Sequence, residues 1–408
     1  MRVEAGWLQA AVDEQHVLVY DGRGRLFKAF WEGRAYDIAL DNRVLEKWQD
    51  RVAGRRQRRL LQPGQASWLR QAARQAASHL LQAKDVGVVL KTLPESRGEP
   101  PQEAPGSSPG AVLAWREWLA RAAEYSEERW AEDARRFAAV YQPVSILPPD
   151  QYASLVLQAT LGCSYNRCTF CTFYRGRPFR VRRPEEFRRH VEAVREMLGA
   201  GLGRYREIFL ADANALAAPE PLLLSLFELA AQALPHVVRP RISSFLDVLT
   251  GQHKSVADFA ALVDRGLDRV YLGLESGSEE LLRFLNKPSP PQAAIRLVEA
   301  IKQAGAAVGV IFLVGAGGER YRTVHRQRTL ALVQQLPLDG RDLIYLSPLV
   351  DEGSREYEER LQAEGSEALS EEALTEELQL LWRLMREQVG TGLDRPRVGL
   401  YDIREFVY

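Results

Sequence analysis

Residues 268–315 read DRVYLGLESGSEELLRFLNKPSPPQAAIRLVEAIKQAGAAVGVIFLVG. The run opens on DRVYLGLE (268–275) and closes on AAVGVIFLVG (306–315), two short stretches dominated by apolar residues. Between them PQAAIRLVEAIKQAG (291–305) repeats its apolar residues at the three- and four-residue steps of one helix face. Strand, helix and strand in that order predict a parallel βαβ unit, because two parallel strands need a long crossover between them.

The same rhythm extends in both directions. ASLVLQATL (153–161), REIFLAD (206–212), RPRISSF (239–245) and RDLIYLSPL (341–349) read as further strands. PEEFRRHVEAVREMLGAG (184–201), PEPLLLSLFELAAQAL (219–234), SVADFAALVDRG (255–266) and a stretch from Tyr321 to Gln335 read as the intervening helices. Six strands alternating with amphipathic helices give an α/β fold. They are too few for a closed eight-stranded barrel, so the expected architecture is an open, partial (βα)6 TIM-like barrel. The loops after the C-terminal ends of its strands would form the active face.

Around this core the chain carries smaller pieces. HVLVYDGRGRLFKAF (16–30) reads as two strands about a turn at Asp21-Gly22, residues 65–82 as a helix and VGVVLKTL (86–93) as a short strand. PESRGEPPQEAPGSSPG (94–110) is too rich in Pro, Gly, Ser and Glu to bury a core and reads as a flexible linker. A long helix is expected from about Val112 to Tyr141, with Trp115, Trp118 and Trp130 as packing residues. After the core come a helix over Glu371 to Val389 and DRPRVGLYDIREFVY (394–408), a strand that packs on the barrel. The expected boundaries are a small α+β N-terminal module at 1–92, a linker at 93–110, a helical connector at 111–145, the catalytic core at 146–350 and a C-terminal helix–strand extension at 351–408.

Composition narrows the function classes. The chain has 46% hydrophobic and 26% charged residues, a balance that argues for a folded protein over a disordered one. Its 54 Lys and Arg balance its 54 Asp and Glu, so no global field draws it to nucleic acid or membrane. The N-terminal sequence lacks the layout of a signal peptide, and no apolar run reaches the roughly 18 residues needed to cross a bilayer. A cytoplasmic location is therefore expected. All three cysteines fall within nine residues, the wrong pattern for a disulfide framework and a natural one for metal.

Those cysteines lie in LGCSYNRCTFCTFYRGRPFRVR (161–182), as Cys163, Cys168 and Cys171, directly after the first barrel strand. Three thiolates on one loop can ligate three irons of a [4Fe–4S] cubane and leave the fourth without a protein ligand. A zinc site would want a second pair of ligands, which the chain lacks, and a closed electron-transfer cluster would want a fourth cysteine.

The loop resembles that of the radical S-adenosylmethionine (SAM) superfamily, and its C-x4-C-x2-C spacing resembles the Elp3/coproporphyrinogen-dehydrogenase-like branch. The commonest spacing in the superfamily is one residue shorter. The resemblance covers about Ile146 to Leu349 and implies a [4Fe–4S] cluster with SAM chelating its open iron. It also implies an electron donor such as flavodoxin or ferredoxin. Phe170 matches a position near the adenine, and Asp212, Ala213 and Asn214 fall where the family's backbone meets the SAM amino group, without the glycines usual there. Ser243 and Ser244 end the third strand. Glu275 and Ser276 match positions at the ribose or the methionine end. Gly315, with Gly317 and Gly318, would admit the adenine close to the backbone. The implied chemistry is reductive cleavage of SAM to a 5′-deoxyadenosyl radical that takes hydrogen from an organic substrate.

The absence of further cysteines disfavours subclasses that need a second cluster or a methyl-carrying cysteine. No D-x-H-x-x-G surrounds a histidine, which disfavours a cobalamin domain. Two basic runs, Arg175, Arg177, Arg180, Arg182 and Arg183 after the cysteine loop and Arg51, Arg55, Arg56, Arg58 and Arg59 in the N-terminal module, could grip carboxylates or phosphates. Solvated surface is the commoner use of such runs. Three readings stay open: a radical enzyme acting on a small or mid-sized substrate, an RNA- or tRNA-modifying relative, and a non-catalytic haem-binding or haem-trafficking relative.

Overall fold

The computed structural model describes residues 2–4, 6–50, 56–83, 89–90, 109–287, 289–350 and 354–408. The chain forms two compact units, one of Met1–Pro143, Glu192–Arg206 and Glu405–Tyr408, the other of Val144–Val191 and Glu207–Arg404. The expected linker falls almost wholly outside the described residues, as do most of the strand expected at 86–93 and both Arg51 and Arg55.

The first unit is built on a meander of β1 (Arg2–Glu4), β2 (Trp7–Ala11), β3 (His16–Asp21), β4 (Leu26–Trp31), β5 (Arg34–Ile38), β6 (Val44–Gln49) and β7 (Arg56–Leu60). Each strand pairs antiparallel with the next, and β8 (Val89–Leu90) adds in parallel beside β1. Leu8, Ala10, Leu18, Tyr20, Leu26 and Tyr36 on the sheet share one core with helices α1 (Pro63–Gln82), α2 (Pro109–Ala123) and α3 (Glu127–Val140). The long helix expected from Val112 to Tyr141 is thus two. Ser126 accepts a hydrogen bond from the Arg129 N–H, and Glu127 and Glu128 lie in the first turn, so a second helix is capped and started there. Trp115 and Trp130 are buried and Trp118 packs on the same core, as their helical spacing led one to expect. Of the N-terminal arginines, Arg56 and Arg58 pair with Glu405, and Arg59 pairs with Glu46.

The second unit is a partial TIM-like barrel. Its strands are β9 (Leu155–Gln158), then, after the two-residue hairpin β10 (Thr160–Leu161) and β11 (Arg180–Val181), β12 (Glu207–Ala211), β13 (Arg241–Phe245), β14 (Leu267–Glu275), β15 (Ala307–Val314), β16 (Leu343–Pro348) and β17 (Arg397–Leu400). Apart from the hairpin, which pairs with itself, they form one parallel sheet in sequence order from β9 to β17. The six expected strands are present, and the C-terminal strand joins them as a seventh beside β16. Every residue of β15 is buried, as a parallel strand covered on both faces requires. The helices are α4 (Pro184–Leu198, counted with this unit as far as Val191), α5 (Glu220–Ala231), α6 (Val248–Gly251), α7 (Val256–Val263), α8 (Glu279–Phe284), α9 (Pro291–Gln303), α10 (Gly318–Gln335), α11 (Arg355–Ala363) and α12 (Glu371–Val389).

The N-terminal end of this barrel is sealed by side chains. Tyr271 and Tyr345 donate hydrogen bonds of 2.5 and 2.8 Å to opposite oxygens of Asp150, and Arg269 adds a third at 3.0 Å. Phe209, Phe245 and Tyr271 stack edge to face or tilted above them. With that end filled, the open positions lie at the C-terminal ends of the strands.

Candidate active site

The cysteine loop leaves β10 through Gly162, whose φ is +73°. A Cβ there would stand 2.8 Å from the Arg177 carbonyl oxygen, so glycine lets the two ends of the loop close on each other. The β10–β11 hairpin fixes that closure. Within the loop Asn166, at φ +46°, donates its N–H to Cys163 Sγ at 3.4 Å and its side-chain amide to the Tyr174 carbonyl at 2.8 Å. Cys163, Cys168 and Cys171 are all free and half-buried. Among the described residues no group of three or more His, Cys, Asp or Glu is arranged to hold a single metal ion.

Burial pushes the Cys168 thiol up to about 12 and raises Cys171 as well. As bare thiols they resist ionisation; a bound metal charge would reverse that and take them as thiolates. The loop therefore suits a thiolate-ligated iron–sulfur group, net anionic once bound: three soft sulfur donors, a backbone N–H on one sulfur, and a nearby cation.

That cation is Lys287. Its ammonium lies 2.9 Å from Glu275 Oε1, with both side chains largely buried. Burial would depress it, but Glu275 first and Cys168 next outweigh that and hold it above the ordinary lysine value. Glu275 ends β14 at φ +61°. The neighbouring Asn286, at φ +50°, grips the cysteine loop from outside: its amide donates to the Arg167 carbonyl at 2.8 Å, and Tyr165 donates to its oxygen at 3.1 Å. Asn tolerates this left-handed backbone better than most residues.

Two carboxylates bind the loop to the other strand ends. Asp212, after β12, is buried and receives the Gly162 N–H and the Tyr174 hydroxyl, one from each end of the loop. Burial raises its carboxyl to about 7, against the opposing pull of Arg177 and of those two hydrogen bonds. Asn214 donates to Ser164 Oγ at 2.7 Å and also to Asp247, whose own N–H donates to Asn214 Oδ1 at 2.9 Å. Asp247 caps α6 by accepting the Thr250 N–H.

The structure thus draws Asp212, Asn214 and Glu275 around the cysteines. Phe170 packs against a separate apolar cluster of Leu281, Phe284, Leu285, Tyr321, Tyr357 and neighbours. Ala213 is half-buried between Asp212 and Asn214. Ser244 donates its hydroxyl to the Leu210 carbonyl at 2.7 Å, so it is committed to the adjacent strand β12. Ser276 Oγ lies 2.8 Å from His325 Nδ1 and accepts the Ser278 N–H. Gly315, Gly317 and Gly318 make room for the protein itself: Leu374, the Tyr321 ring with Leu281, and the Glu367 carbonyl stand where their Cβ atoms would be. Sequence reasoning passed over Lys287, Asn286, Asp247 and Tyr174. The one available signal was Asn-Lys-Pro at 286–288, a helix stop with a charged residue inside it.

Residues 157–326 match the family model for the radical SAM superfamily, a span that contains the three cysteines, Asp212, Asn214, Glu275 and Lys287. Comparison with curated protein sequences returns no match. Among solved structures, the chain resembles the cobalamin-dependent S-adenosylmethionine radical enzyme OxsB at 16% identity and a TM-score of 0.37, over 56% of this chain and 31% of that one. It resembles coproporphyrinogen III oxidase (HemN) from Escherichia coli at 12% identity and a TM-score of 0.44, over 64% and 58%. For Methanocaldococcus infernus Elp3 with an N-terminal deletion the identity is 12% and the TM-score 0.41, over 60% and 56%. The chain spans less than two thirds of the length of each of these three structures, and the likeness to each is one of fold.

Proposed function

On the premise that residues 157–326 of this chain belong to the radical SAM superfamily, we propose that it binds a [4Fe–4S] cluster through Cys163, Cys168 and Cys171 and uses SAM to start hydrogen abstraction from an organic substrate. When bound, the reduced cluster and SAM together supply a 5′-deoxyadenosyl radical. The observation that carries this reading is the set of three free thiols on one loop, at the C-terminal mouth of a partial barrel, with no fourth cysteine in the chain. An iron without a protein ligand is the vacancy that SAM requires.

The protein's own contribution is to orient and to exclude. Asp212 and Tyr174 fix the two ends of the loop, and Asn214, Ser164 and Asp247 hold it against β12 and β13. Lys287 places a positive charge beside thiols that become thiolates on metal binding. Phe170, Asp212, Ala213, Asn214 and Glu275 are the SAM-facing positions in this proposal. Ser244, Ser276 and Gly315 contribute main-chain groups, their side-chain directions being taken up by the fold. The site receives its electron from a small donor such as flavodoxin or ferredoxin, and its cluster is oxygen-sensitive. A small or mid-sized organic substrate is favoured over RNA, because Arg56, Arg58 and Arg59 are each paired with an acid.

Anaerobic reconstitution with iron and sulfide, followed by dithionite and SAM, tests the reading. Formation of 5′-deoxyadenosine that is lost in Cys168→Ala supports it. Cleavage that persists in Cys168→Ala, or a protein that takes up zinc instead of a cluster, refutes it. Stoichiometric haem binding with no nucleoside product would favour the non-catalytic reading.

A further inference from the structure

The cysteine loop carries one cation whose contacts serve neither the barrel core nor the loop's own closure. Arg175 follows Tyr174 at a turn where its N–H donates to the Thr172 carbonyl at 3.2 Å. From there its guanidinium reaches back over the loop: Nε donates to the Cys171 carbonyl at 3.2 Å and Nη2 to the Cys168 carbonyl at 3.3 Å. The same Nη2 lies 3.1 Å from Glu356 Oε2, in the first turn of α11. Ser354, at the N-cap of that helix, donates to the Thr169 carbonyl between the two cysteines. Tyr357 and Leu361 of α11 pack in the cluster that holds Phe170. The start of α11 is therefore seated on the cysteine loop, and Arg175 is the charged link.

The pair is poorly explained as a stability device. Both side chains are more than 40% exposed, at 44% and 43%, where an ion pair adds little to folding. What distinguishes it is placement: one planar fork bonds the carbonyls of two of the three thiol-bearing residues. Lysine could supply the charge but not that fork. A fixed cation and fixed hydrogen bonds at a cluster's ligands are levers on its reduction potential, since the reduced cluster carries one more negative charge.

We propose that Arg175 is a positioning residue for the iron–sulfur centre, one that raises the cluster's reduction potential and links that potential to the seating of α11 through Glu356. This rests on the cluster assignment above and goes beyond it, because that assignment needs only the cysteines.

The test is an anaerobic redox titration of the reconstituted full chain, followed by the electron paramagnetic resonance signal of the reduced cluster. The proteins compared are the parent, Arg175→Met, Arg175→Lys and Glu356→Gln, each with iron and sulfide counted and a thermal melt recorded. Arg175→Met should bind the parent's complement of iron and titrate at a more negative potential. Arg175→Lys should recover part of the shift, and Glu356→Gln should move the potential the other way by removing a negative charge. An unchanged potential in Arg175→Met with full iron content overturns the proposal. Should Arg175→Met fail to load, the Glu356→Gln and Arg175→Lys proteins decide, and parental potentials in both overturn it equally. A parent that binds no cluster sinks the cluster assignment first, and iron analysis alone distinguishes that outcome.

Discussion

The ring of Tyr271 lies across Gly309 of the neighbouring strand, in the space where a Cβ at 309 would stand. Tyr345 lies over Gly399 in the same way, its ring 3.1 Å from that position. Each phenol is thereby laid along the barrel floor, with its hydroxyl on Asp150. Gly309→Ala puts a methyl group into the Tyr271 ring and forces the phenol off Asp150. Overpacking of this kind costs about 1–3 kcal/mol, and a buried hydroxyl left without its partner adds to it. Urea denaturation should show that loss in Gly309→Ala, while Gly64→Ala, at a position with open space around it and no positive φ, should lose little or nothing.

The Glu275–Lys287 pair yields a second expectation. Truncating one partner of a largely buried pair leaves the other charge uncompensated, at a cost of roughly 3–5 kcal/mol. Lys287→Met should therefore destabilise the cluster-free protein strongly. Adding Glu275→Gln should restore much of the loss, because the orphaned carboxylate is gone. A double-mutant cycle measured by chemical denaturation checks this. Additive effects of the two changes would contradict the pairing.

These two cases mark what the sequence could and could not reveal. The βαβ core was legible because its strands are apolar through and through and its helices keep an apolar stripe, both local properties. The cysteine loop was legible because three thiols within nine residues have few other uses. The short helices α8 and α11 were passed over, since six and nine residues carry little periodic signal. The split at Ser126 was missed because the apolar stripe runs across it, although Ser-Glu-Glu is a readable start signal. Lys287 and Asp247 could not be found from spacing: their roles come from partners brought close by the fold, Glu275 for one and Ser164 and Asn214 for the other. The glycines after β15 have a second use that spacing could not show. A missing Cβ announces a close approach, and what approaches them is the chain's own Leu374, Tyr321 and Glu367.

His325 gives a pH dependence. It is buried at 1% exposure, with Nδ1 beside the Ser276 hydroxyl and Nε2 without a hydrogen-bond partner among the described residues. Ser276 Oγ also accepts the Ser278 N–H, and its own proton is available to Nδ1 in the Nε2–H tautomer. Burial, and then Arg326, lower the imidazole to about 4 from an ordinary 6.5. The unfolded chain therefore binds a proton before the folded one, and stability is lost as pH falls from 6.5 towards 4. The full loss is about 3 kcal/mol. His325→Asn, which keeps an acceptor near Nδ1 and cannot titrate, should remove that slope in denaturation curves of the cluster-free protein taken between pH 4 and 7.

Asp212 should oppose that slope. Its carboxyl is raised from 3.8 to about 7, because burial outweighs Arg177 and the Gly162 and Tyr174 hydrogen bonds. Here the folded state keeps its proton longer than the unfolded one, so stability falls as pH rises from 3.8 through 7 and is lowest above it. The span is of the order of 4 kcal/mol. One carboxylate oxygen, Oδ2, is buried without a hydrogen-bond partner among the described residues, so an amide nitrogen placed there displaces no donor. Asp212→Asn should therefore fold, gain stability at pH 8 relative to the parent, and lose stability more steeply than the parent as pH falls below 6.5. His325→Asn should change the parent's slope in the opposite sense, and the double variant should lose both contributions. Denaturation midpoints of the four cluster-free proteins across that range decide the matter. A parent-like slope in Asp212→Asn would mean that the buried carboxyl beside the cysteine loop does not carry its proton into neutral solution.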